Sequence, residues 1–544
     1  MQFGVWIWEH LLFILEAALL LPATAVAWRV GHAEKLLGRV ARHRCAPIIA
    51  GGLALALRAA VFPVEPIPSP AVHDEFSYLL AADTFLHGRI ANPTHPFWQH
   101  FETMHEDQQP AYVSMYPPMQ GLVLAVGRLL TGCAFAGVWL SAGAMSAAIC
   151  WALRGWFSPG WAFVGGVLAA VRLGVFSYWA DSYWGGAAAA VGGALLFGAL
   201  PRLIRSSRVR DAVLGALGVA IMANSRPYEG LVFSVAVAVV ALAHARRLHL
   251  RAAIWPVLTM LVGTAAAMAF YNSRAFGSPT TLPYSVNRST YAMAPMFLFQ
   301  SPRPAPVYRH AAMREFYQGW ELGYFQSVRS LAGLAGNQWH KLEVVWSFFI
   351  GPALTMPLLA VAWTWRSRRT RTLLFLTAAV AIGSSLVPWF EPHYIAPATA
   401  LIWALVIAGM RALRQWRPSA ARAVPLAVAV MLVVRIAMAM TAIPFVLTFP
   451  MTWATTWSPR LGRDKVLESL RATQGQHLVI VRYSANHNPF REFVFNDADI
   501  DQARIVWARD MGDEKNAELT GYFRHRHIWL LEGDLDPPFL SAYR

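Results

Sequence analysis

Long apolar runs alternate with short polar segments along most of the chain. They lie at 11–28, 47–64, 117–131, 133–153, 157–177, 183–200, 212–223, 230–245, 252–271, 343–364, 372–388, 395–411 and 423–447. A helix needs about 18 or more apolar residues to span the hydrocarbon core of a bilayer. Several runs reach that length, so the pattern predicts a polytopic α-helical membrane protein with about 11–13 transmembrane helices.

Three segments interrupt this alternation. Residues 65–116 and 272–342 contain no continuous apolar run, and segments of that length are usually functional or disordered. We expect both to be loops on the outer side of the membrane, the second with a helix near 311–328. Residues 449–544 contain short strand-like runs, HLVIVRY, ARIVWARD and HIWLLEGD. This spacing predicts a small soluble α/β domain with a largely parallel sheet, following a membrane module at 1–448.

Composition and charge agree with a membrane protein. Of the 544 residues, 56% are hydrophobic and 14% are charged, whereas soluble domains are about a quarter charged. The formal net charge is +16, but the basic residues form short clusters beside apolar runs, at 202–210, 246–251, 366–371 and 411–422. Such clusters are typical of cytoplasmic loops, so no nucleic-acid partner is expected. Three cysteines are too few for a disulfide framework or a thiolate metal site.

The order of charges sets the expected topology. Basic residues follow the first apolar run and none precedes it, which indicates an uncleaved span with its N-terminus outside. The next span then delivers 65–116 to the outer side. If every later run crosses once, the clusters at 202–210 and 246–251 also lie outside, against the positive-inside rule. We therefore expect a re-entrant or double-pass run within 157–200, where SYWADSYWGG is interpreted as a loop containing Asp181; a cavity position is the alternative.

The first long loop concentrates acid in a basic chain. Between 71 and 121 it has one basic residue, Arg89, and six acidic residues: Asp74, Glu75, Asp83, Glu102, Glu106 and Asp107. A helical pattern opens at Asp74 and is expected to stop near Gly88. From the pattern alone, Asp74 is either a helix cap or a functional carboxylate.

The turn NSRPYEG, at 224–230, separates two short apolar runs. An arginine near the membrane is costly unless it has a partner. Arg226 therefore either pairs locally with Glu229 or binds a lipid phosphate, for which its forked donors are well suited.

A second turn, WFEPHYIAP at 389–397, places an acid and a titratable imidazole between prolines. Glu391 and His393 are candidate site residues for that reason. Tyr394 is either an aromatic residue of the membrane interface or a substrate-binding residue.

The loop at 272–342 is basic where the first loop is acidic. Its arginines include Arg274, Arg288, Arg303 and Arg309. The two loops either enclose a cleft for an anionic donor or only bind each other.

An acidic pair opening the first outer loop in HDEFSYLLAADTFLHG, a YPP at 116–118 closing it, many further spans and a soluble C-terminal domain resemble the GT-C glycosyltransferases. The resemblance covers most of the membrane region, and the acidic pair and YPP are its most specific parts. It is greatest to the bacterial branch akin to aminoarabinose transferases and protein O-mannosyltransferases. The extra N-terminal span departs from the family pattern.

The resemblance implies an inverting hexosyl- or pentosyltransferase of the bacterial inner membrane, with its loops and C-terminal domain on the periplasmic side. It would move a sugar from a polyprenyl-phosphate donor to a glycan, lipid or protein acceptor. Asp74 matches the family's catalytic base, and Glu75 would orient it or help to bind a divalent metal, if the enzyme uses one. The leaving phosphate needs a cation, for which Arg226 is the candidate and His393 the alternative. Candidate substrate-binding residues are Tyr116, Glu391 and Tyr394.

Two other classes remain as alternatives. A transporter or flippase for lipid-linked saccharides would place ionisable residues at the middle of the bilayer, whereas here they collect in outer loops. A non-catalytic scaffold would leave the candidate residues on unrelated surfaces.

Overall fold

The computed structural model describes residues 2–27, 31–247, 250–441, 451–454 and 462–543. The end of the predicted run at 423–447 and the predicted domain boundary at 448/449 lie outside the described residues. The chain divides into two units. The helical unit consists of Met1–Ile67, Phe135–Ala265 and Ala335–Trp457, and the mixed unit consists of Pro68–Ala134, Ala266–Leu334 and Ser458–Arg544.

The described residues form helices that follow the predicted apolar runs. In the first half of the chain these are α1 (Gln2–Val26), α2 (Gly31–Arg42), α3 (Ala46–Val61), α4 (His73–Leu86), α5 (Trp98–Phe101), α6 (Met119–Thr131), α7 (Phe135–Trp156), α8 (Pro159–Leu173), α9 (Gly186–Ser206), α10 (Val209–Ala223), α11 (Pro227–Ala243) and α12 (Leu250–Phe276). In the second half they are α13 (Ser285–Thr290), α14 (Ala311–Arg314), α15 (Leu322–Ser327), α16 (Leu331–Val345), α17 (Gly351–Ala360), α18 (Arg368–Ser385), α19 (Thr399–Trp416), α20 (Pro418–Met440), α21 (Arg463–Ala472) and α22 (Asp513–Tyr522).

Short π-helical and 3₁₀ segments join some of these helices. The π-helical turns are Glu315–Glu321 and Trp346–Ile350, and the 3₁₀ turns are Ala245–Arg247, Val361–Thr364 and Pro392–Ala398. Within the described residues, six helical segments are long and apolar enough to cross a membrane, and five further apolar helices are shorter. The predicted polytopic helical fold with a small C-terminal α/β domain is confirmed.

The connections of the helical unit collect at two ends. At one end, Arg154 in the last turn of α7 donates to the His43 carbonyl at 3.2 Å, and Arg422 in α20 donates to Glu34 in α2 at 3.1 Å. The basic clusters follow helices that run toward this end, which we call the basic end.

At the opposite end of the helical unit, buried ion pairs join different connections. Arg58, in the last turn of α3, pairs with Asp181. Glu65, after α3, lies 3.6 Å from Arg435 in α20. The interpretation of Asp181 as a loop residue is therefore correct, and its loop, 174–185, is buried throughout.

The run that departs from the predicted topology is α6. It belongs to the mixed unit, where Gly121 packs so closely against Ala81 of α4 that a Cβ at Gly121 would lie 2.6 Å from the Ala81 Cβ. Arg128 in α6 donates to Asp83 in α4 at 3.0 Å. Residues 157–200 form two separate helices, α8 and α9, joined by the buried loop 174–185, and the expectation of a re-entrant or double-pass run there stays a prediction. If α6 does not cross the membrane, the basic clusters at 202–210 and 246–251 lie on the same side as the other basic clusters.

The mixed unit contains a four-stranded sheet near the C-terminus. Its strands are β3 (His477–Arg482), β4 (Ile505–Arg509), β5 (His527–Glu532) and β6 (Phe539–Ala542), in the order β4-β3-β5-β6. The first three pair in parallel, as the sequence predicts, and β6, which it does not predict, adds antiparallel to β5. A short hairpin of β1 (Glu106–Asp107) and β2 (Val113–Ser114) lies in the acidic loop.

The basic loop binds the acidic loop within the mixed unit. Arg309 lies 3.5 Å from Glu102, and the Tyr291 hydroxyl donates to the same carboxylate at 2.7 Å. Asn287 donates to Asp107 at 3.0 Å. The helix expected near 311–328 is present as α14, a π-helical turn and α15. Contact between the two loops is therefore observed.

The native cysteines provide a test of the topology at α6. Cys45 precedes α3 at the basic end, and Cys133 lies between α6 and α7; both are partly exposed, whereas Cys150 is buried. If α6 does not cross, we expect the two partly exposed cysteines to lie on opposite sides of the membrane. Single-cysteine variants, labelled with a membrane-impermeant maleimide before and after permeabilisation, measure this. Labelling of both residues from the same side would show that α6 crosses, and a cysteine-free variant is the control.

Candidate active site

The start of α4 is stabilised by Glu75. Its Oε2 accepts hydrogen bonds from the backbone N–H groups of Ala71 at 2.9 Å and Val72 at 3.2 Å. An acid at the third helical position commonly reaches back in this way to donors at a helix N-terminus. The interpretation of Asp74 as the cap is therefore wrong, since the capping carboxylate is that of Glu75. The predicted catalytic role of Glu75 stays a prediction.

The Asp74 carboxylate lies in a cluster with Tyr116 and His105. The Tyr116 hydroxyl donates to Asp74 Oδ1 and lies 3.1 Å from His105 Nδ1, which is itself 3.6 Å from Asp74 Oδ2. The Tyr116 hydroxyl donates its one proton to Asp74, so its oxygen can only accept a hydrogen bond from His105. We therefore assign a proton to His105 Nδ1, which donates to the Tyr116 hydroxyl oxygen. The Asp74 side chain is 22% exposed, so a ligand can reach it.

These partners keep Asp74 ionised. Burial alone would raise the pKa of its carboxyl, but the attraction of His105 and the hydrogen bond from Tyr116 outweigh it and hold the pKa below its ordinary value. The carboxylate is thus a weak base and a permanent hydrogen-bond acceptor at neutral pH.

The backbone beside this cluster is strained. Among the described residues, only three non-glycine residues have φ in the left-handed region, and two of them, His105 (φ 62°) and Tyr284 (φ 71°), have rings 5.8 and 5.5 Å from that of Tyr116. The His105 carbonyl accepts from the Ser77 hydroxyl at 2.6 Å and from the Met115 N–H at 3.2 Å. Such strain collects at functional sites and persists only where surrounding contacts determine the conformation.

His73, next to Asp74, is buried. Its Nε2 donates to the Pro489 carbonyl at 2.8 Å, because a carbonyl can only accept. Burial, followed by the repulsion of His105, lowers the pKa of His73 to about 4. His73 is therefore neutral at physiological pH.

The second group of candidate residues lies in the helical unit. Arg226 is buried in the turn between α10 and α11, and its guanidinium carbon lies 4.7 Å from the centre of the Tyr394 ring. Pro227 begins α11, where its missing N–H costs least. Glu229 lies near enough to attract Arg226 electrostatically. The local ion pair and the phosphate clamp therefore both remain predictions for Arg226.

His393 and Glu391 lie in the adjoining turn. The Tyr178 hydroxyl accepts from the His393 N–H at 3.1 Å and donates to its Nδ1 at 2.7 Å, which leaves the imidazole proton on Nε2. The rings of His393 and Tyr394 are 4.9 Å apart. The Glu391 carbonyl accepts from the Tyr394 N–H at 2.9 Å.

A small apolar recess of about 10 Å³, room for about one water molecule, lies beside this group, between α11 and α18. Its wall includes Tyr228, Val232, Phe233, Val380, Tyr394 and Pro397. Tyr394 thus contacts Arg226 on the polar side and lines an apolar recess as well.

The structure places the predicted site residues in two groups. Those in the mixed unit are Asp74, Glu75 and Tyr116, and those in the helical unit are Arg226, Glu391, His393 and Tyr394. His73, His105 and Tyr284 are additional members of the first group. The only sequence signal for His73 is its position beside the acidic pair, and that for His105 is the HED triplet of the same loop. In the described part of the chain, no three His, Cys, Asp or Glu side chains are grouped as a metal site.

The neutral state of His73 predicts a pH effect on stability. Below pH 6.5 the unfolded chain takes up a proton at His73, whereas the folded protein does so only near pH 4. Stability is therefore lost as pH falls through this window, by on the order of 3 kcal/mol at about 1.4 kcal/mol per pKa unit. His73→Gln keeps a donor for Pro489 and does not titrate, so its stability should fall less between pH 7 and 4.5.

Unfolding of the two purified proteins at both pH values measures this difference. His525→Gln, at an exposed position, should behave as the unsubstituted protein does. Equal losses of stability in the His73 variant and the unsubstituted protein would contradict the assignment of a neutral His73.

No family model matches this sequence, and no curated protein matches it. Two solved proteins are similar in structure. ArnT from Cupriavidus metallidurans bound to undecaprenyl phosphate is 13% identical, covering 87% of this chain and 88% of its own, with a TM-score of 0.47. The Archaeoglobus fulgidus oligosaccharyltransferase in complex with Zn and sulfate is 12% identical, covering 80% of this chain, with a TM-score of 0.44. This chain spans 60% of the oligosaccharyltransferase's length.

ArnT and the oligosaccharyltransferase are GT-C glycosyltransferases, the family that the sequence resembles. At these identities and TM-scores the similarity carries no argument about substrate or site residues. Those are argued from the chain's own side chains.

Proposed function

We propose that this protein is an inverting glycosyltransferase that moves a sugar from a polyprenyl-phosphate donor to an acceptor hydroxyl at the periplasmic face of the bacterial inner membrane. The observation that carries the proposal is the Asp74 carboxylate, which is ionised, reachable and oriented by Tyr116 and His105. The acceptor is a glycan, a lipid or a protein.

Asp74 would accept the proton of the attacking hydroxyl. In an inverting transfer the acceptor oxygen bonds to the anomeric carbon as the bond from that carbon to the phosphate oxygen breaks, through a transition state with oxocarbenium character. The hydroxyl proton becomes strongly acidic only as the new bond forms. A weak base is then sufficient to take the proton. The lowered pKa of Asp74 keeps its carboxylate ionised, and so able to accept the proton, until the new bond forms.

Arg226 would stabilise the departing phosphate, whose negative charge grows during bond cleavage. The Tyr394 ring below its guanidinium carbon, 4.7 Å away, restricts the plane of the fork. A guanidinium fixed in this way can donate two parallel hydrogen bonds to a phosphate. His393 is the alternative, through its protonated Nε2.

The transporter alternative gains no support from the buried charges of the helical unit. Glu16 pairs with Arg172 and Arg58 pairs with Asp181. A buried charge that already has its partner is expected for structural reasons. These pairs therefore do not indicate a path for a substrate.

We expect Asp74→Asn to reduce transfer by about 10²–10⁴-fold, the usual contribution of a positioned acid or base. The assay incubates the purified full chain with a panel of polyprenyl-phosphate sugars and acceptors, with and without chelator, and follows loss of the sugar from the lipid. Asp499→Asn is the matched control, because Asp499 is a partly exposed acid of the same unit that pairs with Arg89.

The result that rejects the assignment is turnover by Asp74→Asn close to that of the unsubstituted protein, at equal expression and thermal stability. If loss of activity is accompanied by loss of folded protein in this variant but not in Asp499→Asn, Asp74 is structural rather than catalytic.

Arg226→Lys should raise the KM for the lipid donor by roughly tenfold or more, because an ammonium group keeps the charge but cannot donate in the forked geometry. Steady-state kinetics with the donor as the varied substrate measure this. Arg246→Lys, at an exposed position of the basic end, should leave the KM unchanged. An unchanged donor KM in Arg226→Lys together with a lower melting temperature would assign Arg226 to a structural ion pair instead.

A further inference from the structure

Three aromatic side chains from two distant segments of the mixed unit meet beside the Asp74 cluster. Phe316 and Trp320 come from the π-helical turn Glu315–Glu321, and Phe490 comes from the segment after β3. The ring of Trp320 is 5.2 Å from that of Phe316 and 5.1 Å from that of Phe490, and Phe316 and Phe490 are 5.6 Å apart. We call this group the aromatic corner.

The aromatic corner adjoins the candidate catalytic residues directly. Phe316 packs edge-on against His73 at 5.2 Å and against His105 at 5.5 Å. Phe490 stacks on His73 at 5.7 Å with an angle of 15° between the rings. The corner is therefore connected to Asp74 through His73, its neighbour in sequence, and through His105, whose Nδ1 lies 3.6 Å from the Asp74 carboxylate.

Two of the three rings are open to ligands. Trp320 is 42% exposed and Phe490 is 38% exposed, whereas Phe316 is buried beneath them. The planes of Trp320 and Phe490 meet at 89°. The exposed surface is thus formed by two rings at right angles, which suits contact with a compact ring better than with an extended prenyl chain.

The backbone of each segment is adapted to present these rings. A π-helical turn is a rare departure from the α-helix that is frequently found at functional sites, and here it carries both Phe316 and Trp320. In the segment with Phe490, the Asp534 carboxylate accepts from the Ser484 N–H and from His487 Nδ1, both at 2.7 Å.

The Phe490 segment is held by contacts of the residues just before the ring. His487 stacks on Tyr483 at 3.8 Å, and the Pro489 carbonyl accepts a hydrogen bond from His73. Phe490 therefore extends from a well-determined segment and is not the tip of a free loop.

We propose that the aromatic corner is a binding subsite for a sugar ring of the substrate, so that the C-terminal segment at 483–492 contributes to the active site. This inference rests on the proposed transferase function. A sugar ring has a face of C–H groups that packs against aromatic rings, and its hydroxyls require polar partners. The aromatic corner supplies the first and Asp74 supplies the second, and His105 contacts both Phe316 and Asp74.

Binding can be measured without turnover. The purified full chain, in an amine-oxide detergent that contains no sugar, is examined by saturation-transfer NMR with methyl glycosides of common hexoses and pentoses at millimolar concentration. We expect saturation of the ring C–H protons of at least one glycoside. Phe490→Ala and Trp320→Ala should abolish the signal, and Phe490→Tyr should retain it because the aromatic face remains. Phe539→Ala, at an exposed phenylalanine of β6, should have no effect.

Kinetics supply a second readout. Phe490→Ala and Trp320→Ala should raise the KM of the substrate that carries the recognised sugar by roughly three- to tenfold, the usual contribution of one aromatic contact. Asp74→Asn should reduce transfer by about 10²–10⁴-fold, far more than the two alanine variants, whose effect is on binding. Binding and chemistry are in this way measured by different variants.

The proposal is overturned if the unsubstituted protein gives no signal with any glycoside, or if the two alanine variants bind glycosides as the unsubstituted protein does. It is also overturned if these variants weaken the binding of undecaprenyl phosphate alone, since the corner would then hold lipid. Glycoside binding that depends on Phe490 and Trp320, in a protein that transfers no sugar from any donor, would reject the transferase function and leave the sugar subsite standing.

Discussion

The packing of α4 against the C-terminal sheet determines where Asp74 lies. Leu80, Phe101 and Tyr112 of the acidic loop share one hydrophobic core with side chains on one face of the sheet. Phe76, on the first turn of α4, stacks on Phe495 with ring centres 4.0 Å apart. Fully burying one such side chain stabilises a fold by about 1.5–3 kcal/mol. The beginning of α4 is thus fixed by apolar contacts, and the polar contacts of Asp74 only orient its carboxylate.

Asp83, on the third turn of α4, connects this helix to two other segments. Its carboxylate accepts from Arg128 of α6 at 3.0 Å and from the Ala498 N–H at 2.9 Å. A buried carboxylate is tolerated when its oxygens are satisfied in this way. The acidic loop, α6 and the C-terminal segment are therefore parts of one structural unit, in which the small C-terminal sheet packs against the acidic loop.

The sequence predicts those parts of the fold that depend on local pattern. Apolar runs predict the helices, the three β-rich runs predict the parallel strands, and Gly88 (φ 69°) marks the end of α4 as expected. The location of α6 was not predictable, because an apolar helix of 13 residues has the same pattern as a short membrane span. What distinguishes it is the close contact of Gly121 with Ala81, about 40 residues earlier in the chain.

The candidate site likewise has features that the sequence predicts and features that it does not. Asp74 was identifiable because it opens a helix in an acidic loop. The positive φ of His105 and Tyr284 was not, since neither is a glycine and each is held by contacts with residues distant in sequence. The contact of His73 with Pro489 joins residues more than 400 positions apart, and no short-range pattern encodes it.

The carboxyls of the acidic loop differ in how readily they ionise. Burial raises the pKa of Glu102 and Glu106, and it raises the pKa of Asp107 to about 7. To the extent that these three carboxyls are protonated, they add no negative charge to the loop. Glu492, also buried, has a lowered pKa, because Arg509 outweighs its burial and neutralises it as an ion pair. Asp74, in contrast, is both ionised and partly exposed. A carboxylate in that state can accept a hydrogen bond, and then the proton, from an acceptor hydroxyl that approaches from solution.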